Sequence, residues 1–361
     1  MIDPDHREAP PAAGEEAAIH AIADLISWTV RRDHAPGAVA RRDAHPKHHG
    51  CVRAEFRVDA NVPADLQYGI FAQPRAYPAW IRFSNGAPRI QPDARRDQRG
   101  MAIKLLGVPG EKILEPERHA QTQDFVLASF PRFFIASVEH YVDFSRAAAR
   151  KPAFRLFGYY FARVPWRWRI HELRALMASL QPASNVLALR YWSQTPYRLG
   201  PHAVKYSARP AGDLPSTRGS TTARSRDFLR DVMADHLRTR SAMFDFLVQR
   251  QGEGMSIEDS TVEWDEARAP FRRVATITIP PQDFQSGAQL ALAENISYTP
   301  WHSLPDHAPL GGVNRVRRVV YESISRLRHE LNGVPPQEPT SLDPDLSMPS
   351  VQTSEPGKES Q

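Results

Sequence analysis

The sequence predicts an α+β chain in which an antiparallel β-barrel or sandwich carries added helices. Three observations predict it. Seven or so short segments show the period-two alternation of half-buried strands. These segments follow one another through turns, with little of the strand–helix–strand alternation of a parallel sheet. Amphipathic helices bracket the set, one near each end of the chain.

The elements read in order as follows. Glu16 to Arg32 is a helix, with Ile19, Ile22, Leu25, Ile26 and Val30 on one face and Arg31-Arg32 suited to a C-terminal turn. The stretch Arg42-Asp-Ala-His-Pro-Lys-His-His-Gly-Cys51 is a histidine-rich turn. It feeds a strand in which Val52, Ala54, Phe56 and Val58 alternate with Arg53, Glu55 and Arg57. Further strands are expected at 79–84, ended by Asn85-Gly86, and at 101–107, 123–128, 202–208, 262–265 and 274–280. A helix is expected through Tyr141 and Phe144, helical segments with breaks from Lys151 to Val186, a loop over 191–200, and a long amphipathic helix from Arg226 to Gln251. Arg315 to Leu331 is a helix with Asn314 as N-cap, Asn332-Gly333 as C-cap signal, and an apolar stripe of Val316, Val319, Val320, Ile324, Leu327 and Leu331. Residues 1–15 are rich in Pro, Ala and Glu, and 335–361 in Pro, Ser, Glu and Asp. Both are expected to be disordered, around a single domain at 16–334.

Composition narrows the function classes. With 41% hydrophobic and 24% charged residues over 361 positions, the chain can bury a large core. The net charge of +5 is scattered, with no run of five Lys or Arg, so a nucleic-acid partner is not expected. Cys51 is the only cysteine, which excludes an internal disulfide framework and a thiolate-rich metal site. No apolar leader and no 18-residue apolar run is present, so no membrane partner and a cytoplasmic protein are expected.

Two constellations carry chemistry. His45, His48 and His49 lie within five residues at the start of a strand, which permits metal binding, proton transfer or a solvated turn. Arg317 and Tyr321 are four apart on the last helix and share one face. By itself Tyr321 reads as a core tyrosine with a wet hydroxyl.

Taken in sequence, the motifs resemble the catalase superfamily of haem proteins, and more closely its short, catalase-related peroxidase branch. Arg42-Asp-Ala-His45 resembles the family's Arg-x-x-His, and Arg82-Phe-Ser84 its Arg-Phe-Ser strand. Asp97-Gln-Arg-Gly-Met-Ala-Ile-Lys104 is similar to Asp-x-Arg-Gly-x-Ala-x-Lys, and Pro131-Arg-Phe-Phe134 to Asn-x-Pro-x-Phe-Phe. Arg317-Arg-Val-Val-Tyr321 resembles Arg-x-x-x-Tyr, with Arg328 seven residues on. Each motif is short, and their order along residues 42–328 is the signal.

The resemblance implies a catalase-like antiparallel barrel with surrounding helices and a pocket for haem b between the barrel and the C-terminal helix. His45 is implied as the distal catalytic histidine, bonded by Ser84, and Tyr321 as the axial iron ligand with Arg317 beside it. Tyrosine ligation of haem iron is the known catalase arrangement rather than a deduction from these residues. Arg42, Arg82 and Arg328 are implied to meet the haem carboxylates, and Phe134 to line the site. The family's distal asparagine falls on Ser129, whose hydroxyl lacks the amide donor pair. That departure and the short chain shift the expectation to a peroxidase acting on hydrogen peroxide or organic hydroperoxides, with weak catalase activity and a small-molecule electron donor. A homo-oligomer is allowed. The rival readings are a non-catalytic haem carrier or sensor on the same fold, and a non-haem metal enzyme using His45, His48 and His49. His45 and Tyr321 are expected on opposite faces of one flat pocket.

Overall fold

The computed structural model describes residues 10–150, 155–161, 167–212 and 225–344. Nine strands form one antiparallel sheet. They are β1 (His48–Val58), β2 (Ala76–Asn85), β3 (Arg99–Leu106), β4 (Thr122–Ala128), β5 (Tyr191–Trp192), β6 (Tyr197–Leu199), β7 (His202–Ala211), β8 (Ala242–Arg250) and β9 (Arg272–Ile279). The order is β5-β4-β3-β2-β1-β9-β8-β7-β6, and β5 also pairs with β7. Eight strands therefore close into a barrel, and β6 continues the sheet as a hairpin partner of β7. Two residues make the closure: Trp192 pairs with Ala128 on one side and with Ser207 on the other, beside Tyr191 opposite Ala208. A closed sheet leaves no long edge to pair with other chains.

The interior follows from strand alternation. Phe56, Ile81, Ile103, Phe125, Tyr206, Phe246 and Ile277 are fully or almost fully buried in one core. The Phe246 ring lies 5.0 Å from Phe56 and 4.9 Å from Phe125, both edge-on, the arrangement that aromatic quadrupoles favour. His307 reaches into this cluster. Its Nε2 accepts from the Ile70 N–H at 3.0 Å, so Nδ1 carries the hydrogen and donates to Tyr206 Oη at 2.8 Å.

Seven helices among the described residues surround the barrel: α1 (Glu15–Asp33), α2 (Val138–Ala148), α3 (Arg155–Phe161), α4 (Arg167–Ser179), α5 (Phe228–Leu237), α6 (Gly287–Asn295) and α7 (Gly312–Asn332). None is long and apolar enough to cross a membrane. Ile19 and Ile22 of α1, Val138 and Val142 of α2, and Val316, Val320 and Ile324 of α7 form a second core. The apolar stripe of α7 is spent there, which leaves the face bearing Arg317 and Tyr321 for other work. α6 packs Leu292 and Ala293 on Cys51 of β1, Trp80 of β2 and Leu106 of β3, so these strands are buried on both faces.

Several expectations are corrected. The helix expected over 226–251 is α5 followed by strand β8. Phe244, Phe246 and Val248 alternate inward in β8, a period-two signal that outweighs a helical reading. Residues 262–265 form no strand, and Trp264 instead caps a small core beside Ala203, Met255 and Leu310. The expected loop at 191–200 holds β5 and β6. α7 begins at Gly312 with Gly311 as N-cap, so Asn314 lies inside the helix; Gly333 closes it in the left-handed conformation. The segment 335–344 lies along the barrel: Glu338 pairs with Lys104 at 2.8 Å, and the carbonyls of Ser341 and Leu342 accept from Trp80 and Arg53. Residues 345–361 and 1–9 lie outside the described residues.

Phe246→Ala removes a ring that four aromatic neighbours surround, so it is expected to cost about 3–5 kcal/mol. A chemical denaturation midpoint measures this directly.

Candidate functional site

The histidine turn meets the end of β2 and the start of β3. His45 Nδ1 lies 3.0 Å from Ser84 Oγ, and Ser84 is buried. The imidazole rests on Gly100, where an added Cβ would come within 2.6 Å of Nδ1 and 2.7 Å of Ser84 Oγ. Glycine at that position is thus required by a close approach rather than by its backbone angles. Burial, and then the charges of Arg82, Arg42 and Arg317, push the His45 pKa down to about 3, so the ring is neutral at ordinary pH.

Arg317 joins this end of the molecule to α7. Its Nη2 donates to Tyr321 Oη at 3.2 Å, and its guanidinium lies 5.2 Å from the Tyr321 ring centre. Nη1 is held by Thr195 Oγ1 at 3.1 Å and Asn314 Oδ1 at 3.2 Å. Burial works against its charge, but the oxygens of Tyr321 and Tyr197 hold Arg317 protonated. Tyr141 is pushed up by burial and by Asp43 and Tyr321, with Arg317 opposing, so α2 contributes to the same neighbourhood. Arg317 thus contacts Tyr321 and also lowers the His45 pKa.

A second group of arginines gathers on the carbonyl end of α6. Arg42 donates to Glu294 O at 3.1 Å and to Ile296 O. Arg82 Nε donates to Ala293 O at 3.0 Å, and Arg328 to Glu294 O at 2.6 Å and Asn295 O at 3.0 Å. Burial and then repulsion from Arg42 pull Arg82 and Arg328 down to about 9. The carboxylate that both feel is Glu294, 3.7 Å from Arg42. Three guanidiniums around one carboxylate leave the cluster short of negative charge. A ligand with two carboxylates fits that deficit.

The other candidates are placed differently. The Ser129 hydroxyl accepts from the Arg99 N–H at 2.9 Å, and Ser129 lines a cavity of about 280 Å³ with Asp97, Arg99, Leu189 and Trp192. Among the described residues no hydrogen bond joins Ser129 to His45. Phe134 lies between Phe133 and Phe144, at 4.8 and 5.2 Å. His48 and His49 are buried rather than exposed: His49 bonds Asn85 at 2.8 Å, and His48 lies 4.0 Å from Glu294. The three histidines diverge, and among the described residues no three His, Cys, Asp or Glu side chains are grouped to hold a metal.

Sequence reasoning missed α6 and Thr195, and the roles of Gly100 and Asn314. Only α6 had a clear signal. Ser286 followed by Gln289 is a capping-box spacing, and Ser286 does accept from the Gln289 N–H at 3.3 Å. The roles of Gly100 and Thr195 arise from contacts across more than 50 residues, which no local pattern encodes, while Asn314 meets Arg317 three residues on and Thr195 from far along the chain.

Burial also holds His307 near pKa 3 and His329 near 4, alongside His45. In the unfolded chain each titrates near 6.5. The unfolded state therefore binds more protons between these values, and stability is complete above pH 6.5 and falls toward pH 4. Unfolding free energies over that range are expected to decline steadily. Gly100→Ala is expected to displace the His45 ring and cost about 1–3 kcal/mol, read from the same denaturation curves.

No family model matches the chain, and no curated protein matches it. Solved structures do. A fungal catalase superposes with a TM-score of 0.63 at 17% identity, covering 91% of this chain and 72% of that one. Catalase A from Saccharomyces cerevisiae gives 0.63 at 19%, covering 91% and 74%. A bacterial catalase gives 0.62 at 18%, covering 94% and 67%. With a closed eight-stranded antiparallel barrel, surrounding helices and these neighbours, the chain has the catalase fold.

Proposed function

We propose that this protein is a haem b peroxidase of the short, catalase-related kind, cleaving hydrogen peroxide or organic hydroperoxides in the cytoplasm with electrons from a small-molecule donor. Catalase activity is weak in this reading. The observation that carries it is the single guanidinium, Arg317, which touches Tyr321 and bears on His45.

The residues suit the cofactor. Tyr321 would supply an oxygen ligand, and the Arg317 guanidinium donates to that oxygen at 3.2 Å. Arg42, Arg82 and Arg328 would hold its two carboxylates, and Phe134 would line its site. When bound, haem iron supplies the redox chemistry that breaks an O–O bond. The chain supplies the proton path. Peroxide must lose a proton from one oxygen and gain one on the other, and a neutral imidazole with Nδ1 anchored on Ser84 has Nε2 available for both transfers. Carboxylates seated on the arginine cluster would offset part of the positive field at His45, making the ring a better base when the site is filled. Ser129 accepts the Arg99 N–H and has a single O–H donor, where an asparagine amide has two N–H donors, so it offers the peroxide less orientation. That is the basis for placing peroxidase above catalase activity.

Haemin added to the purified protein is expected to give a Soret band with high-spin ferric features, and Tyr321→Phe is expected to alter or abolish it. His45→Ala is expected to keep haem and lose peroxide cleavage by 10²-fold or more. Unchanged peroxide consumption in His45→Ala would remove His45 from the mechanism, and a wild-type protein that takes up no haemin would remove the cofactor.

A further inference from the structure

His45 adopts a left-handed backbone with φ of +59°. For a residue other than glycine this conformation costs about 1–2 kcal/mol and persists only where surrounding contacts over-determine it. Ser84 and Gly100 act on the ring and leave the backbone free to relax. The His45 N–H reaches Gly86 O at 3.4 Å, a long and weak bond. The contact at good distance on the backbone is to the carbonyl: Arg82 Nη2 donates to His45 O at 3.0 Å. The same guanidinium uses Nε to donate to Ala293 O at 3.0 Å, on the α6 end where Arg42 and Arg328 also bind. One planar, buried group thus spans the anion-poor cluster and the strained histidine.

We propose that Arg82 is a positioning residue, whose guanidinium fork holds the left-handed backbone of His45 and so couples the arginine cluster to the orientation of the imidazole. This rests on reading His45 as the proton carrier and the cluster as the seat of an anionic group. Arg82 then has two duties that Arg42 and Arg328 do not share. An anion on the cluster fixes the Arg82 guanidinium in place, and the fixed guanidinium fixes His45. By reciprocity a well-set His45 favours anion binding at the cluster.

The test uses the haem-free protein, so it does not depend on cofactor uptake. Histidine is labelled with ¹⁵N, and the His45 ring signals are identified by their loss in His45→Ala. Wild type is expected to show one fixed neutral tautomer from pH 8 to 5. Arg82→Gln is expected to average the two tautomers and to move the protonation midpoint toward 6.5. Arg42→Gln removes a like charge from the same cluster without touching His45, and is expected to shift the midpoint while keeping the single tautomer. Should Arg82→Gln unfold the barrel, Arg82→Lys keeps the charge and the stem but not the fork, and it too is expected to lose the fixed tautomer.

A fixed tautomer in Arg82→Gln, or in Arg82→Lys, would overturn the proposal, as would averaging in wild type. Arg42→Gln averaging like Arg82→Gln would overturn it also, because the effect would then belong to charge alone. With haemin at saturation, Arg82→Gln is further expected to lose about 10²-fold in kcat with little change in KM, the signature of a misplaced group. Failure of haemin to bind would strike the functional reading while leaving the tautomer result standing.

Discussion

Three arginines on the carbonyl end of one short helix, two of them buried, set the arrangement of everything near the site. The last carbonyls of a helix have no partner within it and carry partial negative charge, so cations settle there. α6 offers Ala293, Glu294, Asn295 and Ile296, and the guanidiniums come from the histidine turn, from β2 and from α7. Parts of the chain nearly 290 residues apart are thereby held to a common reference. The arrangement is expensive in isolation, because burying like charges without matching acids works against folding. Such a cluster is better suited to receiving an anion than to stabilising the empty protein.

The imidazole and the cations around it divide the work. Arg82 and Arg317 stay charged at neutral pH despite burial, whereas His45 stays neutral because of burial and of neighbouring charges. Separating the protonation states of neighbouring groups is what a proton-transfer site needs. The price is the strained backbone of His45, which the surrounding contacts sustain.

Most of the barrel was legible because alternation is a local property: β1, β2, β3, β4, β7 and β9 all read as strands from their residues alone. β8 was not, since Met243, Phe244, Phe246, Leu247 and Val248 satisfy a helical stripe as readily as a strand face when no turn signal is weighed. β5 was illegible for another reason. Two residues carry no period, and Tyr191-Trp192 is a strand only because the barrel needs closing there. Of the site, the motif order pointed to His45, Ser84, Arg82, Arg317 and Tyr321; hydrogen bonds join the first three to one another and the last two to each other. Ser129 was placed by alignment with a motif, and a motif cannot say that a backbone N–H will occupy the hydroxyl. How far the His45 pKa is lowered was likewise invisible, as it depends on burial and on charges 37 and 272 residues away.

The pairing of β1 with β9 has a bearing on how the protein is made. Phe56 lies opposite Ile277, so the first barrel strand waits for the last across some 220 residues of chain. On a ribosome, β1 to β4 can form their meander early, but the ring cannot close until β9 has emerged. α6 follows β9, and α7 with Tyr321 comes later still. A growing chain therefore displays an open sheet with Phe56, Ile81 and Phe125 uncovered for most of its synthesis. The helix bearing the tyrosine arrives after every barrel strand, against a barrel that is already shut.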